Sequence, residues 1–137
     1  MLRINHRLFN PFTAAFLLYA ISITVLSLAR IDSSGRSLLN FKGADKLVHC
    51  LFYFGFTFLL ALACKGSFTR ALERKEVLIV ALIAMTYSGV IELLQGFFTV
   101  YRSAELGDFV ANSVGVIFGL VALKVFDPFF NRMKNPK

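Results

Sequence analysis

Tryptophan is absent from this 137-residue chain, and cysteine and histidine occur only twice each. Two cysteines build no disulfide framework. Cys50 and Cys64 share one apolar segment and stand about 21 Å apart if it is helical. A disulfide needs Cα atoms within about 7 Å, so both read as inert membrane thiols. Familiar catalytic signatures are missing too. There is no His-Glu-x-x-His pair, no Ser/His/Asp order and no glycine-rich phosphate loop. Acid is scarce, with eight Asp and Glu against fifteen Lys and Arg, for a net charge of +7. That surplus forms no basic strip with interleaved aromatics, which excludes a nucleic-acid surface as the reading.

What the chain has in abundance is apolar surface. Apolar residues make up 57% of it, mean hydropathy is +0.68, and sixteen residues are Phe. A small soluble domain leaves much of its surface exposed and cannot hide such a composition. Four runs are long enough to cross a bilayer, at residues 12–29, 47–64, 77–101 and 109–126. Backbone polar groups find no partners in lipid, so an open sheet is excluded and the runs must be helices. The expectation is an all-α integral membrane bundle of four transmembrane helices, forming a single domain over residues 1–137. Arg3, Arg7 and Ser27-Leu28-Ala29 give the first run some character of a signal peptide. At about 18 residues it exceeds the usual h-region and spans the hydrocarbon, so it is read as a retained helix.

Charge distribution suggests an orientation. With both termini cytoplasmic, the inner segments hold ten basic residues against three acids, and the outer ones five against five. That fits the positive-inside rule and a multi-pass protein of the bacterial inner (cytoplasmic) membrane. The basic tail beyond Asp127-Pro128, where the fourth helix is expected to end, would lie on anionic headgroups.

The few ionisable residues of the apolar runs gather at one end of the predicted bundle. An ionised group within lipid costs about 2.5–3.5 kcal/mol even on the mildest scales, so each needs a partner, a cavity or a use. Asp45, His49 and Tyr53 are spaced i, i+4, i+8 and share a helix face, with Lys46 beside them. In the third run Ala81, Met85, Ser88, Glu92, Gln95 and Thr99 make a small or polar stripe that must face the bundle interior. Glu92 lies roughly 13 Å inward from Tyr101 and requires a proton or a cation such as Arg102 or His49. The fourth run opens with Asp108 and carries Asn112 one turn later. Asp45 and Asp108 also fit plain N-caps, and Asn112 and Glu92 fit plain interhelical hydrogen bonds. Ala111, Gly115, Gly119 and Ala122 form a seam for close helix approach, read as structural. Up-and-down topology brings all the polar residues to the outer side, whereas the first helix offers only Tyr19 and hydroxyls and looks like a lipid-facing brace.

The ordered fragments Asp45-Lys46-x-x-His49-x-x-x-Tyr53, Glu92-x-x-Gln95, and Arg102 followed by Asp108-x-x-x-Asn112-x-x-Gly115-x-x-x-Gly119 resemble the VanZ-like family of small bacterial membrane proteins. They cover about residues 45–119. The chain departs from the pattern at Gly107, where a larger apolar residue is expected. The resemblance implies a role at the cell envelope and a link to glycopeptide antibiotics, since the founding member is associated with teicoplanin resistance. It implies no particular reaction.

Three functions compete. The first is an outward-facing site for an envelope lipid headgroup or lipid-linked wall precursor, built from Asp45, Lys46, His49, Tyr53, Glu92, Gln95, Arg102, Asp108 and Asn112. In it Arg102, Lys46 and His49 hold an anionic group, although the number of acids argues against a pure phosphate pocket. The second is an intramembrane enzyme, using His49, Glu92, Asp108 and Asp45 as metal ligands or Glu92 and His49 as proton carriers. The third is an accessory protein whose polar residues only lock helices together. Transport is the weakest reading for one small protomer, and a homo-oligomer would revive it. No cofactor is expected, and the expected partners are membrane lipids.

Overall fold

The computed structural model describes residues 10–29, 43–65, 71–98 and 105–134, with side chains described through residue 127. Four helices account for nearly all of them: α1 (Pro11–Leu28), α2 (Ala44–Lys65), α3 (Arg74–Phe98) and α4 (Leu106–Lys134). Each is long and apolar enough to cross a membrane, as expected from hydropathy. Arg102, Thr99, Tyr101 and most of the first connection lie outside the described residues.

Local sequence explains the helix starts. Asn10 caps α1, its Oδ1 accepting from the Thr13 backbone N–H at 2.8 Å, and Pro11 follows where a missing N–H costs nothing. Gly43, at φ 95°, supplies the left-handed residue that turns the chain into α2. Asp45 and Asp108 fall in the first turns of α2 and α4, where the helix dipole favours negative charge.

The end of α4 corrects one expectation. The helix runs through Asp127-Pro128 to Lys134. Asp127 pairs there with Lys65 at the end of α2, and that anchor holds the turn in which the proline lacks its N–H. Membrane helices accommodate proline where neighbours steady the freed backbone.

The closest packing joins α2 to α4. His49 meets Asn112 and Lys65 meets Asp127 at sequence offsets of 63 and 62, so the two helices run parallel and in register over their shared length. The small-residue seam of α4 makes this possible. A Cβ built on Gly115 would collide with the Cys50 carbonyl oxygen, and one on Gly119 would come within 2.9 Å of the Phe54 oxygen. These are backbone atoms of α2 that a small adjustment cannot move aside. The short connection before α4 makes α3 its neighbour in sequence, yet the tight face of α4 is spent on α2.

Elsewhere the core is apolar and aromatic. Ile23, Tyr53, Phe56, Leu60, Ala61, Val80, Ala84, Val116 and Leu123 are buried together. Helix α1 docks through rings: Phe16 meets Phe56 edge-on at 5.0 Å, and Phe56 stacks on Tyr87 at 4.6 Å. It is also tied by hydroxyls, with Tyr19 donating to the Phe52 carbonyl at 3.2 Å and Thr24 meeting the Tyr87 hydroxyl. Only Ile23 and Ser27 of α1 are buried, so it is the peripheral helix. Leucine, isoleucine, valine and phenylalanine are exposed along all four helices, the surface a bilayer would cover.

Candidate functional site

His49 organises the polar end of the bundle. It is buried on α2, one turn below Asp45. Its Nδ1 lies 3.1 Å from Asn112 Oδ1 and 3.4 Å from Glu92 Oε1. The Asn112 amide nitrogen donates to Ser88 Oγ at 2.8 Å and to Glu92 Oε1 at 3.0 Å. With the amide nitrogen thus committed, Asn112 Oδ1 is an acceptor, and the network assigns the ring proton of His49 to Nδ1. Three helices therefore meet in one small network: α2 through His49, α3 through Ser88 and Glu92, and α4 through Asn112.

The other face of the ring looks toward the rim. His49 Nε2 stands 3.8 Å from Asp108 Oδ2, too far for a hydrogen bond. Asp108 Oδ1 is 3.5 Å from Lys46 Nζ, and Lys46 also reaches Glu105 Oε2 at 3.4 Å. Exposure rises steeply along this path. Asp108 is 5% exposed, whereas the Lys46 side chain is 49% exposed and that of Glu105 55%. Asp45 is exposed as well. A buried carboxylate–imidazole network thus leads, through Asp108, to a charged rim.

Among the described residues, acceptors exceed donors in this network: the carboxylates of Glu92, Glu105 and Asp108 meet one lysine and one histidine. Among the described residues, Glu92 Oε2 and Asp108 Oδ1 are buried without a hydrogen bond. Such groups cost free energy unless something completes them.

The expected residues fall into groups. His49, Glu92, Asp108 and Asn112 meet directly, and Asp45 and Lys46 border them. Tyr53 lies deeper on the same face of α2, fully buried, with no hydrogen bond to its hydroxyl among the described residues. Gln95 is buried but turned toward α1, donating to the Ser27 carbonyl at 2.9 Å. Arg102 lies outside the described residues. Two residues join the site that the motif did not include: Ser88, whose place on the polar stripe was the available signal, and Glu105, which partners Lys46. A Cβ on Gly107 would stand 2.7 Å from Lys46 Cε, the end of a flexible side chain that can move aside, so this contact does not require the glycine.

A second ionic contact was not anticipated. Lys65 and Asp127 meet at the far end of the bundle, with only 1% of the Lys65 side chain exposed. Opposite charges at the C-terminal ends of two long apolar runs were the readable signal. Polar interhelical contacts therefore do not avoid that end, contrary to the expectation.

Fold and site define a multi-pass membrane bundle with a buried carboxylate–histidine network at one end. A model of the VanZ/LLP1 family matches residues 4–127, and the chain belongs to that family. No individual curated protein and no solved structure matches it.

Proposed function

We propose that this protein binds the polar headgroup of an envelope lipid, in the reading preferred here a lipid-linked wall precursor, at an outward-facing site between α2, α3 and α4. The observation that carries this is the graded path from exposed Asp45, Lys46 and Glu105 to buried Asp108, His49 and Glu92. A purely structural network has no need of an entrance. Ionisable residues inside membrane spans mark ligand and ion sites by default.

The geometry changes the role given to the basic residues. Lys46 is already held by Glu105 and Asp108, and His49 lies between Asp108 and Glu92, so neither is a simple clamp for a phosphate. The ligand must bring donors, as sugar hydroxyls and ammonium groups do, or a cation must enter with it. Transport is disfavoured, because the apolar layer around Phe56, Leu60, Val80 and Ala84 separates this end from the Lys65–Asp127 end. Altered presentation of a lipid-linked wall precursor would connect such a site to glycopeptide susceptibility.

Native mass spectrometry of the full chain with a polyprenyl-diphosphate glycolipid, beside phosphatidylglycerol, tests the reading. The glycolipid is expected to be retained by the wild type and at least tenfold less by Asp108→Asn. Equal retention of both lipids, or no effect of the substitution, would sink it.

A further inference from the structure

The acceptor surplus has a sharper form at one point. The hydrogen-bond network leaves His49 with its proton on Nδ1, so in the neutral ring Nε2 carries a lone pair. That lone pair faces Asp108 Oδ2 across 3.8 Å, and a carboxylate oxygen is also an acceptor. Two acceptors pointed at each other need something positive between them. One ligand atom from each of Asp45, His49 and Asp108 lies within 4.8 Å of the other two. Two ligands on one first-row metal ion sit about 3–4 Å apart, given bond lengths near 2.1 Å, so only slight closure is required.

We propose that Asp45, His49 and Asp108 bind one divalent transition-metal ion of the zinc class, through His49 Nε2 and one oxygen of each carboxylate. Three independent features support it. The opposite ring nitrogen is held by an amide oxygen and a carboxylate, Asn112 Oδ1 and Glu92 Oε1, the arrangement that fixes tautomer and ring orientation in histidine metal ligands. Asp108 is 5% exposed, with Oδ2 turned to His49 Nε2 while Oδ1 stands 3.5 Å from Lys46 Nζ, so one oxygen is left to face the imidazole. Two carboxylates and a neutral imidazole make a neutral complex with a divalent ion, which suits a low-dielectric setting. Exposed Asp45 supplies the entry path, and two of the donors come from neighbouring turns of α2.

An ion with three protein ligands keeps open positions. It would turn an acid-rich rim into one that accepts a phosphate or hydroxyl oxygen, with Lys46 alongside. This deepens the headgroup reading, but metal binding is measurable without any lipid, so either can fail alone.

The test uses the full chain, purified in detergent without a histidine tag and stripped by chelator. Cobalt(II) is titrated and its visible absorption followed. One equivalent is expected to bind, and Asp45→Asn to bind at least tenfold more weakly while still melting cooperatively. Asp45 is exposed, and a thermal melt of the same variant separates loss of a ligand from loss of the fold. The chain has only two histidines, so nitrogen-15 histidine spectra with zinc give a second readout. One Nε2 resonance is expected to shift, and to shift equally in His6→Gln. Absence of stoichiometric binding, unchanged affinity in Asp45→Asn, or loss of the shifting resonance in His6→Gln would each overturn the proposal.

Discussion

The two ends of the bundle hold charge in different ways. At one, Lys65 meets Asp127, a cation beside an anion, with the lysine side chain almost wholly enclosed. At the other, Glu92, Glu105 and Asp108 share Lys46 and His49, with exposed Asp45 beside them, and two buried carboxylate oxygens make no hydrogen bond among the described residues. The first arrangement closes on itself. The second, among the described residues, holds more carboxylates than cations and leads to an exposed rim. Both use the same parallel pair of helices, α2 and α4, so the contrast comes from the residues and not from the scaffold.

Breaking the closed end should have the larger effect. Lys65→Met leaves Asp127 without its cation, and removing one partner of a buried pair costs about 3–5 kcal/mol. Because Asp127 keeps some exposure, a loss near the lower end of that range is expected, read as a fall in melting temperature in detergent. The double replacement Lys65→Met/Asp127→Leu should recover most of it, since an apolar pair of similar size leaves no uncompensated charge. If the double variant melts as low as the single one, the pair is not what holds this end together.

Gly115→Ala probes the scaffold that both ends share. Its methyl would meet the Cys50 carbonyl oxygen, so α4 must shift from α2. Overpacking of this kind costs about 1–3 kcal/mol. The shift also separates His49 from Asn112, so glycolipid or cobalt binding should fall together with stability. A variant that melts early but binds normally would show that the site does not depend on the α2–α4 register.

Much of this was readable from the residues, and the unread parts have physical reasons. Four helices follow from apolar runs long enough to span lipid, and the buried face of α3 follows from the stripe through Ser88, Glu92 and Gln95. Asp45, His49, Glu92, Asp108 and Asn112 were placed at one end by topology alone. The partner of the Gly115–Gly119 seam was not legible, because small residues announce a close approach without naming the helix that makes it. The contact of the Gln95 amide with the Ser27 carbonyl of α1 is not legible either, because a backbone acceptor leaves no mark in sequence. Asp127-Pro128 looked like a helix end because proline usually marks one, whereas the Lys65 contact depends on a register that spacing within one helix does not reveal.

The most direct test of the contrast is thermal melting of Glu92→Gln and Asp108→Asn beside Lys65→Met, in one detergent. Each acid swap keeps shape and removes charge. If the acid-rich end is held for a ligand, both swaps should leave the melting temperature unchanged or raise it, as relief of strain at functional sites does, while Lys65→Met lowers it. A large fall in both acid variants, comparable to that of Lys65→Met, would mean that the two ends are alike and that the His49 network is structural.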